Sequence, residues 1–594
     1  VNGRLYRTAW LVVTIPLLAA AFTITRPAPL PPAEAALQPT FDNAAAYRLA
    51  QELAFKHPDR SPGSPGAPSA AGWVEKKLSD LGLKTAVDRF TATIPGRGKT
   101  ELRNVTAVVP GRSRDTIAVV AHRDSTRGYA GTNDNASGTG ALLELARAYA
   151  VTRTSVAGGV SPNHTLLFAS TDAGAYGLLG ARRLARESAY AGHVVAVIVL
   201  DSIGSRNPPR LELAGPGPRS PAPGIVATAS ARLAGETGRP PATASALGQL
   251  VDLAFPFTLT EQGEFLAERI PALTVTTDGS RAAQDERPGR LDPLRLGQIG
   301  RAVEGVVASL DATLEPARGT SDYVYVRGRV IQGWAIAFLY VALLVPFALA
   351  MADLIARLRR RGIPFRPAIR SYIRRLVFWL LVGVLFTVFG VLGAWPGGDS
   401  AAISPASEAA GHWPRLALAL FTLAALGAWL IARSRLIRRG PVSDEQEVVA
   451  LVVPLTALGL IAIVLIITNP YALLFLLPSA HAWLWLVQAR TRSAFVRTSL
   501  YVAGLAGPLL LLLSLAVRFG LGLDAPWYLA ELTAIGYVST MELVLFLAWV
   551  AVAAQILAVV SGRYGPYPAP ADRPERGPVG TAVAALRSSR QGAS

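Results

Sequence analysis

Residues 116–125, TIAVVAHRDS, lead within a few residues into 131–150, GTNDNASGTGALLELARAYA, and the order of these two stretches decides the fold around them. The first is a short apolar run rich in β-branched residues, which reads as a buried strand ending at His122. The second opens on Asn, Asp, Ser and Gly and continues with helical spacing. The alternation recurs on either side: HTLLFAS (164–170), VVAVIVLD (194–201) and PALTVTT (271–277) are strand-like, and LRLGQIGRAVEGVVASL (294–310) is helical. Strands and helices in this order predict a three-layer α/β/α domain with a mainly parallel sheet over residues 41–317. Ligands bind beyond the carboxyl ends of the strands in such sheets, and His122, Asp172 and Asp201 fall at or just past those ends.

The remainder of the 594-residue chain is of a different kind. Overall, 51% of the residues are hydrophobic, only 16% are charged, and the mean hydropathy is +0.35, too apolar for a purely soluble protein. The net charge of +18 sits largely in arginine clusters beside apolar runs, so membrane topology explains it and no nucleic-acid partner is expected. Only five of the 58 basic residues are lysine, an arginine excess that fits a GC-rich bacterial coding sequence. With no cysteine, the chain has neither a disulfide nor a thiolate nucleophile or ligand.

The first apolar run, AWLVVTIPLLAAAFTI (9–24), follows Arg4 and Arg7 and reads as a retained signal anchor over residues 1–25. A Pro-rich linker follows over 26–40. After the α/β domain, runs near 330–352, 376–395, 416–432, 448–468, 471–488, 499–517 and 541–561 predict an all-α transmembrane bundle over 330–562, so that the whole chain has about eight spans. The segment 527–541 reads as an interfacial helix or a further partial span. Arginines crowd the loops 353–375, 433–440 and 489–498, whereas the loops between carry none apart from Arg415 and Arg518 at the span borders. The positive-inside rule therefore places the N-terminus and the tail 563–594, read as disordered, in the cytoplasm, with the α/β domain outside. His481 and Glu542 lie inside apolar runs, where an ionisable group raises the question of function.

AHRDS (121–125), GTNDNASGTGALLELAR (131–147), FASTDAGAYGLLGAR (168–182) and LDSIG (200–204) resemble, in this order and spacing, the co-catalytic zinc aminopeptidase family, peptidase family M28. RSPGSPG (60–66) and RNVTAVVPG (103–111) fit the same scheme, so the resemblance covers nearly all of 41–315. It implies a zinc-exopeptidase fold with two zinc ions, a bridging aspartate and a glutamate that takes a proton from the attacking water. It also implies that His122, Asp134 and Asp201 are metal ligands and that Asp124 orients His122 from behind. The same resemblance marks losses. Where relatives carry two glutamates, this chain has Gly174 and Ala175, so the proton acceptor and one ligand are missing. Gln262, in TEQGEFLAERIPAL (260–273), stands at the place of the last histidine ligand, and no histidine lies between His193 and His412. One zinc rather than two is expected. Asp172, Glu261 and Glu264 are the acids close enough in sequence to substitute.

These residues lead to two expectations. The first is a membrane-held pseudo-peptidase that binds a peptide or protein outside the cytoplasm. Its layout is similar to that of the attachment subunit of the GPI-transamidase complex. The second is a working membrane-bound exopeptidase with an atypical metal site, which would need an acidic side chain close to the His122, Asp134 and Asp201 cluster. A third class, transport or lipid handling by the spans, rests on His481 and Glu542 alone.

Overall fold

The computed structural model describes residues 2–32, 40–155, 161–278, 291–395, 402–405, 415–436, 444–489 and 493–561. Residues 33–39 of the linker, most of the loop after Trp395, much of the two later arginine-rich loops and the tail from 562 lie outside the described residues.

The strands are β1 (Lys84–Ile94), β2 (Gly98–Val109), β3 (Ser113–His122), β4 (His164–Thr171), β5 (Val194–Leu200), β6 (Arg210–Glu212), β7 (Ser220–Pro221) and β8 (Ala272–Thr276). Seven of them form one sheet in the order β1-β2-β4-β3-β5-β8-β6. The four central strands are parallel, whereas β1, β2 and β6 join antiparallel. The sheet is thus a mixed one, parallel at its centre and antiparallel at both edges, in the expected α/β domain. The long β1–β2 hairpin and the return of β6 after β5 supply the antiparallel edges, which the apolar runs alone did not reveal.

Side chains alternate across each strand, and both faces are buried. Ile117, Val119 and Ala121 of β3, with Leu166 and Phe168 of β4, face a layer made by the helices Asn43–Lys56, Gly66–Asp80, Gly138–Ser155, Pro223–Thr237 and Pro293–Ala312. Ala118, Val120, Leu167, Val197 and Val199 face the short helices Leu179–Glu187 and Gln262–Ala267. Each such Leu, Ile, Val or Phe removed from water contributes about 1.5–3 kcal/mol. The caps agree with the sequence: Asp42 accepts from the N–H groups of Ala44 and Ala45, and Asp292, followed by Pro293, accepts from those of Leu294 and Arg295. The domain core extends past Ala317. Here β9 (Thr320–Ser321) pairs with β7, and the hairpin of β10 (Tyr323–Val326) and β11 (Arg329–Gln332) adds Tyr323, Tyr325 and Val330 to the core.

Among the described residues, six helices are long and apolar enough to cross a membrane: Gly3–Phe22, Gly333–Arg360, Arg366–Val391, Leu416–Arg433, Glu445–Thr468 and Thr540–Val560. Ala494–Gly504 and Ala506–Arg518 make a seventh only as a pair bent by 54°. The run 471–488 gives a 14-residue helix, Leu473–Leu486, behind a single turn at Pro470–Ala472, well short of the ~20 residues a span needs. Beside the expectation of about eight spans, the described residues hold six such helices, or seven with the bent pair taken as one. The segment 527–541 contains a ten-residue helix, Ala525–Ala534, whose Tyr528 and Leu532 are buried with Phe257 of the α/β domain.

The domain sits on one end of the bundle. Asp322 accepts from Tyr471 Oη and, through its backbone, from Gly333 N, while Asn469 Nδ2 donates to Leu253 O at 3.0 Å. Arg357, Arg359 and Arg360 lie at the far end of the 28-residue helix that begins at Gly333, about 40 Å away. The linker is not free along its first part, because Thr25 bridges to Val330 and Leu30 N donates to Thr228 Oγ1.

Both ionisable residues inside apolar runs have structural partners. Glu542 completes a capping box with Ser539. His481 lies between the Tyr6 hydroxyl, 2.8 Å from Nδ1, and Leu343 O, 2.9 Å from Nε2, and so fastens the N-terminal helix to the bundle. Its Nε2 donates to the carbonyl and its Nδ1 accepts from the phenol. We expect His481→Leu to destabilise the detergent-solubilised chain against unfolding by about 1–3 kcal/mol for each polar group left unmatched, and His481→Gln to lose less. Equal losses in the two variants would contradict this pinning role.

Candidate metal centre

Three strand ends converge where β3, β4 and β5 finish. β3 ends at His122, whose register partner on β4 is Thr171. β5 ends at Leu200, immediately before Asp201. The turn Thr132–Ser137, which carries Asp134 and a cis peptide between Asp134 and Asn135, is sewn to the end of β5 by side chains. Asn135 Nδ2 donates to Leu200 O at 2.8 Å, and its Oδ1 accepts from Gly138 N and Ser202 N, each at 3.0 Å. Asn133 Oδ1 accepts from Gly204 N at 2.7 Å, and Ser137 Oγ accepts from Ile203 N at 3.0 Å. On the other side, the fully buried Arg60 donates to the carbonyls of Arg123, Ala130 and Gly131, which holds the loop between His122 and Asp134.

This framework brings His122, Asp134 and Asp201 together with one ligand atom each, all within 4.8 Å of one another. His122 Nε2 is 3.3 Å from Asp134 Oδ1 and 3.7 Å from Asp201 Oδ1, while Nδ1 is 3.2 Å from Asp124 Oδ1. Burial alone would push the imidazole pKa down, but the surrounding carboxylates, Asp124 foremost, hold it well above its usual value. Asp124 is fully buried, yet its carboxyl is held below the ordinary range by His122 and by the N–H groups of Gly174 and Ala175, 2.7 and 3.1 Å away. Burial, with Asp201 and Asp124 nearby, raises Asp134 despite His122. Three carboxylates share one imidazole in a partly open site, a charge arrangement that a divalent cation would relieve.

The loop expected to supply two glutamates is committed elsewhere. Its backbone at Gly174 and Ala175 holds Asp124, and a Cβ added at Gly174 would lie 2.4 Å from His122 Cγ. A glutamate at Gly174 would displace the imidazole rather than complete a second metal position. Ala173, with φ of 56°, and Ser202, with φ of 54°, adopt the left-handed region at the site without being glycine, a strain that only tight surroundings maintain.

Of the three acids that sequence offered as substitutes, two are already engaged. Asp172 turns away into a buried ion pair with Arg123 at 2.6 Å and accepts from Arg103 N. Glu264 pairs with Arg182 at 3.1 Å. Glu261 is different: it is buried, its Oε1 accepts from the Thr171 hydroxyl, and its Oε2 has no hydrogen-bond partner among the described residues. Because Thr171 is the register partner of His122, Glu261 reaches the strand beside it. Burial pushes the Glu261 carboxyl up to about 7 against the pull of His122. Gln262 faces the wall rather than the site, with its Nε2 donating to Ala214 O and Thr258 Oγ1 and its Oε1 accepting from Thr274 Oγ1. A small open cleft lined in part by Glu212, Gln249, Asp252 and Tyr323 shares no residue with the cluster.

The donor set fits a metal. One imidazole nitrogen and two carboxylates suit zinc, and Asp124 behind the imidazole leaves Nε2 to face Asp134 and Asp201. The described residues contain no second cluster of this kind.

Residues 104–284 match Peptidase family M28, so the α/β domain is a domain of that family. Leupeptin-inactivating enzyme 1 of Streptomyces exfoliatus is 30% identical over 152 residues, which is 25% of this chain and 32% of that protein. The aligned stretch thus spans about a third of that relative's length. Among solved structures, BSAP, a zinc aminopeptidase from Bacillus subtilis, aligns at 15% identity over 46% of this chain and 95% of its own, with a TM-score of 0.36. A glutaminyl cyclase of Bacteroides thetaiotaomicron, bound to N-acetylhistamine, aligns at 17% identity over 46% of this chain and 98% of its own, with a TM-score of 0.37.

Two measurements test this geometry. Arg123→Met would leave Asp172 buried without its partner, and we expect a loss of about 3–5 kcal/mol in urea unfolding, with Asp172→Asn binding zinc as wild type does. The Glu261 carboxyl titrates near 7 when folded and near 4.5 otherwise. The native state therefore keeps a proton that the unfolded chain has lost between those values, and stability falls as pH rises through this window. Glu261→Gln should leave metal-free stability unchanged near pH ~4 and raise it by about 3 kcal/mol near pH ~8. An equal effect at both pH values would show that ionisation is not the cause.

Proposed function

We propose that this chain is a membrane-anchored, zinc-aminopeptidase-like protein whose α/β domain is a non-catalytic module that binds a peptide or protein ligand at a single metal position. The observation that carries this reading is the 173–175 loop. Its backbone holds Asp124, its side chains offer no donor atom, and Gly174 lies too close to His122 to be anything larger. Peptidase family M28 membership of the domain supports a peptide as the ligand class. His122, Asp134 and Asp201 would hold one zinc ion, which would supply a Lewis acid for a ligand carbonyl or amine. Asp124 would keep the imidazole turned toward it.

The arrangement of the bundle supports a cell-membrane location with the domain outside. The domain contacts the helix ends at Gly333, Asn469, Tyr471 and Arg518, and the arginines at 357–361 lie at the opposite end.

A second reading, an exopeptidase with an atypical site, has one specific observation in its favour. Glu261 is a buried carboxyl one strand away from His122, with an oxygen lacking a partner and a pKa of about 7, suited to accepting a proton. The two readings part in one experiment on the full chain purified in detergent. Zinc content is measured for wild type, His122→Ala and Glu261→Gln, beside hydrolysis of amino-acid anilides and short peptides. We expect about one zinc per chain, lost in His122→Ala and kept in Glu261→Gln, and no metal-dependent hydrolysis. Turnover that disappears in Glu261→Gln while zinc remains would establish the second reading in place of the first.

A further inference from the structure

The segment that delivers Glu261 to the metal centre is gripped at its other end by the bundle. Asp252 forms an ion pair with Arg518, at the end of the bent helix pair, and Arg518 also reaches Glu212 at 3.4 Å. Asn469 Nδ2 donates to Leu253 O and Ala254 O, and Tyr537 Oη donates to Pro256 O at 2.8 Å. Phe257, 2% exposed, is inserted edge-on among Phe519, Tyr537 and Tyr528, with ring centroids 5.1, 5.5 and 6.1 Å away. An aromatic side chain so enclosed contributes both its buried area and its ring geometry to the contact.

From Phe257 the path to the site is short and tightly packed. Thr258 Oγ1 contacts Thr260 Oγ1 at 3.0 Å and accepts from Gln262 Nε2, also at 3.0 Å. A Cβ added at Gly263 would lie 2.2 Å from Thr258 Cγ2, so the turn 258–263 has no slack. Gln262 is fixed at its other atoms to Ala214 O and Thr274 Oγ1, and Glu261 to Thr171 beside His122. Three residues, Thr258 to Thr260, separate a side chain held by the bundle from a side chain held beside His122. Close packing of this kind transmits displacement because it has few intermediate arrangements.

We propose that the bundle regulates the metal centre through residues 252–262, so that cation affinity at His122, Asp134 and Asp201 depends on the Phe257 ring being seated among Phe519, Tyr528 and Tyr537. This inference rests on the reading of those three residues as metal ligands. Coupling is reciprocal, so zinc must also tighten the seat of Phe257.

The test uses the full chain in lipid nanodiscs, with zinc affinity measured by competition against a chromogenic chelator and hydrogen exchange followed in residues 252–262 and 525–537. Phe257→Ala is expected to weaken zinc binding about tenfold, and zinc should slow exchange in both segments of wild type but not of the variant. Phe55→Ala, an exposed phenylalanine on the domain, should match wild type in both readouts. If Phe257→Ala does not fold, Tyr537→Phe removes only the bond to Pro256 O and should move both readouts in the same direction by a smaller factor. Zinc affinity within twofold of wild type in a folded Phe257 or Tyr537 variant whose segment exchanges faster overturns the proposal alone. Wild type that binds no zinc overturns the metal-centre reading and the proposal with it.

Discussion

The Asn135 carboxamide joins the end of β5 to the start of a helix. Its nitrogen donates to the last carbonyl of β5, and its oxygen accepts from the helix at Gly138 and from Ser202 beyond the strand. A buried amide must satisfy these groups or lose about 1–3 kcal/mol for each left unmatched, so the turn 132–137 has little freedom to sit elsewhere. Asp134 and Asp201 occupy positions next to these bonds, and His122 arrives at the same point on the neighbouring strand. The acids and the imidazole meet because the backbone around them has nowhere else to satisfy its hydrogen bonds. The cluster therefore does not need a metal to form, although its charges would suit one.

The other half of the site follows the opposite logic. In the 173–175 loop, backbone N–H groups perform a service that side chains perform elsewhere, holding Asp124 against His122. That use depends on a glycine that approaches the imidazole directly. A loop used in this way supports the imidazole rigidly while offering the cluster no side-chain donor of its own. Glu261 is the exception on the wall, a carboxyl kept buried at a cost that its hydrogen bond to Thr171 only partly offsets.

Much of the α/β domain was legible in the sequence. The strand ends at His122 and Leu200 and the helix after Gly138 follow from short apolar runs ended by polar turn residues, and the grouping of His122, Asp134 and Asp201 was what the family resemblance implied. The antiparallel edges were not legible, because pairing direction depends on long-range contacts rather than on local pattern. The orientation of neighbouring side chains was also hidden: Gln262 and Glu261 are adjacent, but one turns into the wall and the other toward Thr171. Arg60 and Arg123 were the least visible, since an arginine in a loop gives no sign that it is fully buried and donates to backbone carbonyls. In the apolar region, hydropathy located the helices but not their breaks, and neither the 54° bend near Leu505 nor the shortness of the 473–486 helix changes a sliding average.

Thr25 and Val330 exchange two backbone hydrogen bonds, at 3.1 and 2.8 Å, so the chain goes into and comes out of the α/β domain at one paired point. The domain is in effect a long insertion between the first apolar helix and the second, with its two strands zipped at the base. A single flexible thread would let such a domain swing and tumble over its support. Two strands zipped together, with the Phe257 ring as a third foothold, leave it a fixed height and heading. Whatever meets the metal centre must therefore approach from one compass direction and at one altitude above the helix ends.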